Sequence, residues 1–200
     1  RSSQKESYQQ LFDRYDKILH NDMNGKTVMS YITSHDDGSP FDKNRENPWD
    51  AGTRLLLASG ISQVYYGDET ARPLEVQGVD GDANLRSVMN WEDIKPNSET
   101  ESLLIHFQKL GQFRRNHPAV GAGKQTDLKS SPYIFTRKYK DDEVIIGLDL
   151  SANRKEIDVK SVWADGTKVR DAYSNQQFVV KDGKISIDAP TTIVLVEKVN

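Results

Sequence analysis

The chain has 200 residues, of which 28% are charged and 36% hydrophobic, and its formal net charge is −3. A mildly acidic chain lacks the basic surface that nucleic acid requires, and the absence of cysteine excludes disulfides and thiolate metal sites. No apolar run approaches the roughly 20 residues of a membrane-spanning helix, so we expect no membrane span. This length suffices for one large hydrophobic core or two small ones.

The first part of the chain alternates helix and strand patterns. Apolar residues at helical spacing predict an amphipathic helix over residues 6–20, and Asn24-Gly25 predicts an interruption of regular structure after it. Residues 27–33 (TVMSYIT) predict a strand that is apolar on both faces, as parallel strands covered by helices are.

The alternation continues to about residue 120. Asn47-Pro48 predicts the start of a second helix, with the asparagine as its cap, and residues 61–67 (ISQVYYG) predict a second short strand. Ser98 and Glu101 have the spacing of a capping box before a third helix, which Pro118 closes. Two strands are too few for a closed barrel, so we expect residues 1–120 to be the end of a larger α/β domain.

From residue 121 onward, strand patterns replace helix patterns. The predicted strands cover residues 133–139, 144–150, 157–163, 178–188 and 191–199. Asp182-Gly183 is typical of a two-residue hairpin turn. Residues 121–200 are therefore predicted to form an antiparallel β-sandwich or small barrel, so that the fold class is α/β followed by all-β.

Ionisable residues follow both strands of the first part. His35 and Asp36 come after the first strand, and Asp68 and Glu69 come after the second. In βα barrels the chemistry lies where strands run into the following loops, and carboxylates gathered there suit glycoside hydrolysis. A strand-end aspartate can equally be a helix cap or a loop ligand, so spacing alone leaves both roles open.

Four motifs in this order resemble the alpha-amylase family of glycoside hydrolases. They are Ser34-His35-Asp36, the run from Gly60 to Glu69, the run from Arg86 to Trp91, and FRRNHPAV at residues 113–120. The resemblance implies that residues 1–120 hold the last two βα units of a catalytic (β/α)8 TIM barrel. Residues 121–200 would then be the family's C-terminal antiparallel β-domain. The implied activity is that of a retaining glycosidase acting on α-glucosidic bonds in starch or maltooligosaccharides.

The resemblance also assigns roles to single residues. Asp36 matches the third catalytic carboxylate, which stabilises the transition state and holds sugar hydroxyls, and His35 matches a histidine that binds the sugar in the same subsite. Arg86 is expected to border the substrate cleft. The nucleophile and the acid/base of this family lie on earlier strands that this sequence does not contain. We therefore expect the 200-residue chain alone to be inactive.

A possible metal loop gives a negative result. Asp80, Asp82 and Asn84 resemble the start of a calcium loop, but Leu85 and Trp91 stand where an EF-hand needs glycine and glutamate. An EF-hand is therefore rejected, and a solvated acidic loop is favoured over a loose calcium site, which stays open as the alternative. We expect no metal and no cofactor in this sequence, while calcium also stays open for the longer enzyme.

The expected partners follow from the same interpretation. They are an α-glucan or maltooligosaccharide, and either the missing barrel half or a second copy covering exposed barrel surface. A periplasmic or extracellular location is favoured over a cytoplasmic one, although the lack of cysteine fits both. Two alternatives stay open: a non-catalytic carbohydrate-binding or structural module, and a metal-dependent phosphohydrolase. The latter would need the His-Asp doublet on a helix with further histidines converging on it.

Overall fold

The structure is a computed structural model that describes residues 5–23 and 26–199. Asn24-Gly25, where regular structure is predicted to be interrupted, lies outside these residues. The helices are α1 (Tyr8–Lys17), α2 (Pro48–Leu57), α3 (Glu99–Asn116) and α4 (Pro118–Ala122). One π-helical turn, Ile18–Asp22, extends α1, and the long loop before α3 contains the 3-10 turns Asp68–Thr70, Gly81–Arg86 and Trp91–Asp93. In the described part of the chain, no helix is both long and apolar enough to cross a bilayer.

The strands form one parallel pair and two antiparallel sheets. The parallel pair consists of β1 (Met29–Ser30) and β2 (Ile61–Ser62). The remaining strands are β3 (Lys124–Ser130), β4 (Tyr133–Tyr139), β5 (Asp142–Leu148), β6 (Lys155–Asp158), β7 (Lys168–Asp171), β8 (Gln176–Val179), β9 (Lys184–Ile187) and β10 (Val194–Lys198). They pair as a six-stranded sheet in the order β3-β4-β5-β10-β7-β8 and a two-stranded sheet of β6 and β9.

The helix caps differ in detail from the prediction. The Asn47 side chain makes no capping bond; instead, the Asp42 carboxylate accepts the backbone N–H groups of Asn47 and of the residue before it, each at 3.0 Å. The Ser98 hydroxyl accepts the Glu101 N–H at 3.0 Å as predicted. The Glu101 carboxylate, however, accepts the N–H of Asn97 at 2.7 Å, which lies one residue before the cap.

The two strands of the first part are parallel, as predicted, but shorter than predicted. Residues 27–33 and 61–67 each contribute two strand residues, and the pairing places Met29 opposite Ile61. Each strand has one partner strand among the described residues, so its other edge is unpaired.

The second part contains the predicted strands and two that were missed. Residues 157–163 were predicted as a strand, but the strand ends at Asp158 and the chain turns back at Val159. β3 and β7 were missed because their sequences, KQTDLKS and KVRD, are mostly polar. β3 lies at the edge of the large sheet, where exposed polar side chains are tolerated.

The predicted turn at Asp182-Gly183 is confirmed, but it joins two different sheets. Lys181 and Lys184 exchange backbone hydrogen bonds of 3.0 and 2.9 Å, and both central residues have positive φ, 51° and 68°. Positive φ at both positions is the geometry that makes Asp-Gly favourable there. β8 before the turn belongs to the six-stranded sheet, whereas β9 after it pairs with β6.

The six-stranded sheet buries both of its faces. Phe135, Ile146 and Leu195 point to one face and share a hydrophobic cluster with residues of all four helices. Their neighbours in the sequence belong to a second cluster with the two-stranded sheet: Ile134, Ile145, Val194 and Val196. This alternation is the period of two that strand geometry imposes. The helices and the large sheet thus share one core, and the division into residues 1–120 and 121–200 stays a prediction.

Two arginines join the end of α2 to neighbouring elements. Arg114 of α3 donates to the Ala58 carbonyl at 2.7 Å. Arg137 of β4, fully buried, donates to the carbonyls of Leu57 and Val120 at 2.5 and 2.7 Å. The last carbonyls of a helix lack intrahelical partners and carry partial negative charge, so cations are favourable there.

A buried histidine links α2, α3 and the turn between β7 and β8. His106 Nε2 lies 3.2 Å from the Trp49 carbonyl, and Nδ1 lies 2.8 Å from the Tyr173 hydroxyl. Because a carbonyl only accepts, Nε2 carries the hydrogen and Nδ1 accepts from Tyr173. Burial lowers the pKa of His106 to about 4, with Lys109 adding a smaller effect in the same direction. His106 is therefore neutral in the folded protein near neutral pH.

This burial predicts a defined loss of stability in acid. Unfolded, His106 has its ordinary pKa of 6.5, so the unfolded chain binds more protons below that pH. The contribution of neutral His106 to the free energy of unfolding is therefore complete above pH 6.5. The free energy of unfolding falls by about 3 kcal/mol as the pH is lowered towards 4. Urea unfolding of the wild type and His106→Gln at several pH values measures it. We expect the difference in unfolding free energy to shrink across this range; a constant difference would contradict the assignment.

Candidate functional site

The parallel strands place their following loops at one edge of the structure. β1 leads into the loop with His35 and Asp36, and β2 leads into the long loop with Arg86. Loops at the carboxyl ends of parallel strands are where α/β folds collect their functional groups. The Arg86 Nε donates to the backbone carbonyl of His35 at 3.1 Å, so the two loops touch. The structure thus brings together all three residues predicted for the site; their chemical roles stay predictions.

His35 and Asp36 are accessible to a ligand. Their side chains are 64% and 61% exposed, and His35 Nε2 lies 3.7 Å from Asp36 Oδ2. The Ser34 hydroxyl donates to Asp36 Oδ1 at 2.8 Å and leaves the rest of this carboxylate facing solvent. A carboxylate and an imidazole in this arrangement can accept from and donate to neighbouring hydroxyl groups.

Asp68 has the opposite environment, although its position after β2 matches that of Asp36 after β1. It is 1% exposed and accepts from the Thr33 hydroxyl, the Tyr65 N–H at 3.2 Å and the Arg45 guanidinium at 2.9 Å. Burial raises the pKa of Asp68, and the charge of Arg45 opposes that rise. Thr33 follows β1 and Tyr65 follows β2, so this carboxylate braces the two strand ends.

Glu69 is likewise engaged locally. Its carboxylate accepts the backbone N–H of Gly67, two residues earlier, at 2.9 Å. Of the four strand-end residues His35, Asp36, Asp68 and Glu69, the first two are therefore the pair that remains open to a ligand.

Two arginines of this region were not found from the sequence. Arg45 bonds Asp68 and also donates to the Arg72 carbonyl at 3.0 Å. Arg72 is fully buried, and a Cβ on Gly67 would lie 2.5 Å from its side chain. Gly67 has φ 86°, so the glycine serves both the backbone conformation and the close approach of Arg72. Each arginine stands in a polar loop without a motif. Gly67 is therefore the one feature of the sequence that could have pointed to Arg72.

The Asn84 side chain is engaged within the loop that carries Asp80 and Asp82. The Asn84 side chain accepts the Val76 N–H at 2.7 Å and donates to the Val79 carbonyl at 2.9 Å, so it serves the loop itself. Across residues 5–23 and 26–199, no group of three or more histidine, cysteine, aspartate or glutamate side chains is arranged so that it could hold a metal ion. The His-Asp doublet also lies in a turn and not on a helix, unlike the arrangement a metal-dependent phosphohydrolase needs.

Apolar surface lies along the parallel pair. Met29, Tyr31 and Ile61 are 54%, 44% and 51% exposed, and a cavity of about 410 Å³ runs along β1. Exposed apolar side chains beside an unpaired strand edge are typical of a surface that another segment covers.

Comparison with known proteins finds relatives that are named as an alpha-amylase and a glucanotransferase. No family model matches the chain. It is 42% identical over 125 residues to the periplasmic alpha-amylase of Escherichia coli (strain K12), which covers 62% of this chain. It is 27% identical over 143 residues to the cyclomaltodextrin glucanotransferase of Geobacillus stearothermophilus, covering 70% of this chain. The matched region spans 18% of the length of each relative.

Solved structures show the same fold. An alpha-amylase from Geobacillus thermoleovorans, complexed with acarbose, matches 96% of this chain with a TM-score of 0.67 and 20% identity. An Anoxybacillus alpha-amylase matches 95% of it with a TM-score of 0.60 and 19% identity. The match covers 43% and 46% of those two chains, respectively.

The helices and the antiparallel six-stranded sheet thus form part of the fold that the Geobacillus thermoleovorans alpha-amylase has. Taken with the 42% identity to one alpha-amylase and the lower identity to a glucanotransferase, this makes the chain a homologue of the alpha-amylase family of glycoside hydrolases.

The contrast between the two strand-end aspartates predicts different effects on stability. Asp68→Ala leaves the Arg45 guanidinium, 7% exposed, without its carboxylate, which costs about 3–5 kcal/mol for a buried pair. Asp36→Ala, the matched control, removes an exposed carboxylate and should change the free energy of unfolding by less than about 0.5 kcal/mol. Urea unfolding measures both variants. Equal losses would show that Asp68 is not the brace.

Proposed function

We propose that the chain is part of a retaining, alpha-amylase-like glycosidase that hydrolyses α-glucosidic bonds in starch or maltooligosaccharides. The observation that carries the proposal is the accessible His35-Asp36 pair at the carboxyl ends of two parallel strands, in a homologue of this family. The 200-residue chain supplies part of the site, and the nucleophile and acid/base come from sequence beyond it.

Asp36 acts electrostatically in this proposal. Glycoside hydrolysis passes through an oxocarbenium-like transition state, and a fixed anion beside the developing positive charge stabilises it more than the ground state. The Ser34 hydroxyl orients the carboxylate, and His35 beside it donates to a sugar hydroxyl. Arg86 borders the same subsite because its guanidinium is held on the His35 carbonyl.

We also propose that β1 and β2 are the last two strands of a (β/α)8 barrel. Val28 and Ser30 direct their carbonyls to β2, through bonds of 2.8 Å each to Ile61 and Gln63. Because backbone groups of a strand alternate in direction, those of Met29 and Tyr31 point to the opposite edge. A further parallel strand of the longer protein would satisfy them and cover the apolar side chains there. Self-association of two copies through this edge is the second candidate.

The remaining assignments depend on the longer protein. Its location is proposed to be periplasmic or extracellular, which the name of the Escherichia coli relative supports. Calcium binding there stays a prediction for residues beyond this sequence. A non-catalytic carbohydrate-binding module is the alternative function; it shares the sugar ligand and differs in requiring no turnover.

Turnover in the longer enzyme tests the proposal. Asp36→Asn keeps the side-chain shape and removes the charge, so kcat should fall by about 10²–10³, the usual loss for one electrostatic group. The matched control is Asp37→Asn, the adjacent carboxylate, which is 8% exposed and accepts the Ser39 N–H at 3.0 Å. An amide oxygen preserves that bond, so this variant should keep most of the turnover. Release of reducing sugar from maltooligosaccharides measures all three proteins.

The same assay distinguishes the alternatives. The 200-residue chain alone should release no reducing sugar. Turnover by this chain alone would contradict the division of the catalytic groups, and full turnover by Asp36→Asn would show that Asp36 is a loop residue. Sugar binding without turnover in the longer protein would favour the binding module.

A further inference from the structure

Arg72 is a buried cation whose hydrogen bonds converge on one short segment. Its Nε donates to the Tyr66 carbonyl at 3.1 Å, and Nη2 donates to the Leu85 carbonyl at 3.0 Å. Nη1 donates to the Ser87 carbonyl at 3.2 Å and also bonds the Ser87 hydroxyl. The Tyr66 ring lies 4.1 Å from the guanidinium carbon, so an aromatic face covers it. Arg72 is thus fixed on both residues that flank Arg86.

A guanidinium is costly to bury, which makes this arrangement informative. Arg72 is fully buried and solvated by carbonyl and hydroxyl oxygens and a ring face, without a direct carboxylate bond among those contacts. An apolar side chain could fill the same space without the desolvation cost. Unlike an apolar side chain, the planar guanidinium fixes the relative positions of the several acceptors that it binds.

The held segment reaches the candidate site directly. Arg86, between the two clamped residues, places its Nε on the His35 carbonyl at 3.1 Å. On the other side, the Arg72 carbonyl accepts from Arg45, which bonds Asp68. Asp68 in turn accepts from the Thr33 hydroxyl, two residues before His35. The bonds therefore close a ring that begins and ends on the loop carrying Asp36.

We propose that Arg72 is a positioning residue of the sugar site, acting through Arg86. It fixes the segment 85–87, Arg86 fixes the His35 carbonyl, and the His35-Asp36 loop keeps the geometry in which both side chains face the substrate. The part that concerns sugar turnover depends on the proposed function; the clamp itself does not.

The clamp is tested on the 200-residue chain by NMR. Exchange of the Arg86 Nε hydrogen with water should be at least about tenfold faster in Arg72→Lys, because lysine keeps the charge but cannot hold several acceptors in a fixed fork. Arg137→Lys is the matched control, since Arg137 is equally buried and also donates to backbone carbonyls, at the end of α2. It should leave the Arg86 exchange rate unchanged. Ser87→Ala, which removes one Arg72 contact, gives a smaller change in the same direction and replaces Arg72→Lys if that variant does not fold.

The consequence for turnover is tested in the longer enzyme. Arg72→Lys should lower kcat/KM by about tenfold to a hundredfold, the scale that small misplacement of site groups produces. The double variant with Arg86→Gln should lose no more than Arg86→Gln alone, because residues that act through each other are not additive. Arg137→Lys should keep the wild-type kcat/KM.

The outcomes separate the two proposals. Unchanged Arg86 exchange in Arg72→Lys overturns the clamp whatever the enzyme does. Faster exchange with unchanged kcat/KM, or with losses that add in the double variant, overturns the positioning role. Absence of turnover in the wild-type longer enzyme contradicts the proposed function, while the exchange measurement still decides the clamp.

Discussion

The buried carboxylate of Asp68 is the interaction on which the site region depends. It accepts from Thr33 at the end of one strand segment, from the Tyr65 N–H at the end of the other, and from Arg45. A buried carboxylate is tolerated only when its oxygens are bonded and its charge is paired, so these groups must stay together. This requirement holds the ends of the two strands together, although each strand has only two residues with ladder hydrogen bonds.

Bracing and chemistry are thus divided between two aspartates at equivalent strand ends. Asp68 is closed in by three donors, whereas Asp36 keeps an exposed carboxylate beside His35. The support continues away from the site: the helices that follow the two strands pack in one cluster with the large sheet, and His106, Arg114 and Arg137 join the helices to each other and to that sheet through polar bonds. The β-rich half therefore stabilises the helices that carry the site loops.

Much of this was predictable from local patterns in the sequence. Helices α1, α2 and α3, the parallel pair and the Asp182-Gly183 turn follow from periodicity and turn chemistry, whereas the short helix α4 was not predicted. The family resemblance placed Asp36, His35 and Arg86. Patterns failed where the deciding contacts are distant in the sequence. β3 and β7 show no apolar alternation, and pairing with neighbouring strands holds them in the sheet. The Asp42 carboxylate, and not the Asn47 side chain, caps α2. Arg45 and Arg72 make their bonds only where three loops meet. Nothing in strand-end spacing distinguishes Asp68 from Asp36, because burial is a property of the assembled fold.

The central claim is that the exposed pair, and not the buried carboxylate, meets the substrate. A crystal structure of the longer enzyme with a bound maltooligosaccharide tests it most directly. We expect one sugar ring to lie against His35 and Asp36, with Asp36 within hydrogen-bond distance of ring hydroxyls and Asp68 still bonded to Thr33 and Arg45. A sugar chain bound away from His35 and Asp36, or one that contacts Asp68 in place of Asp36, would contradict it.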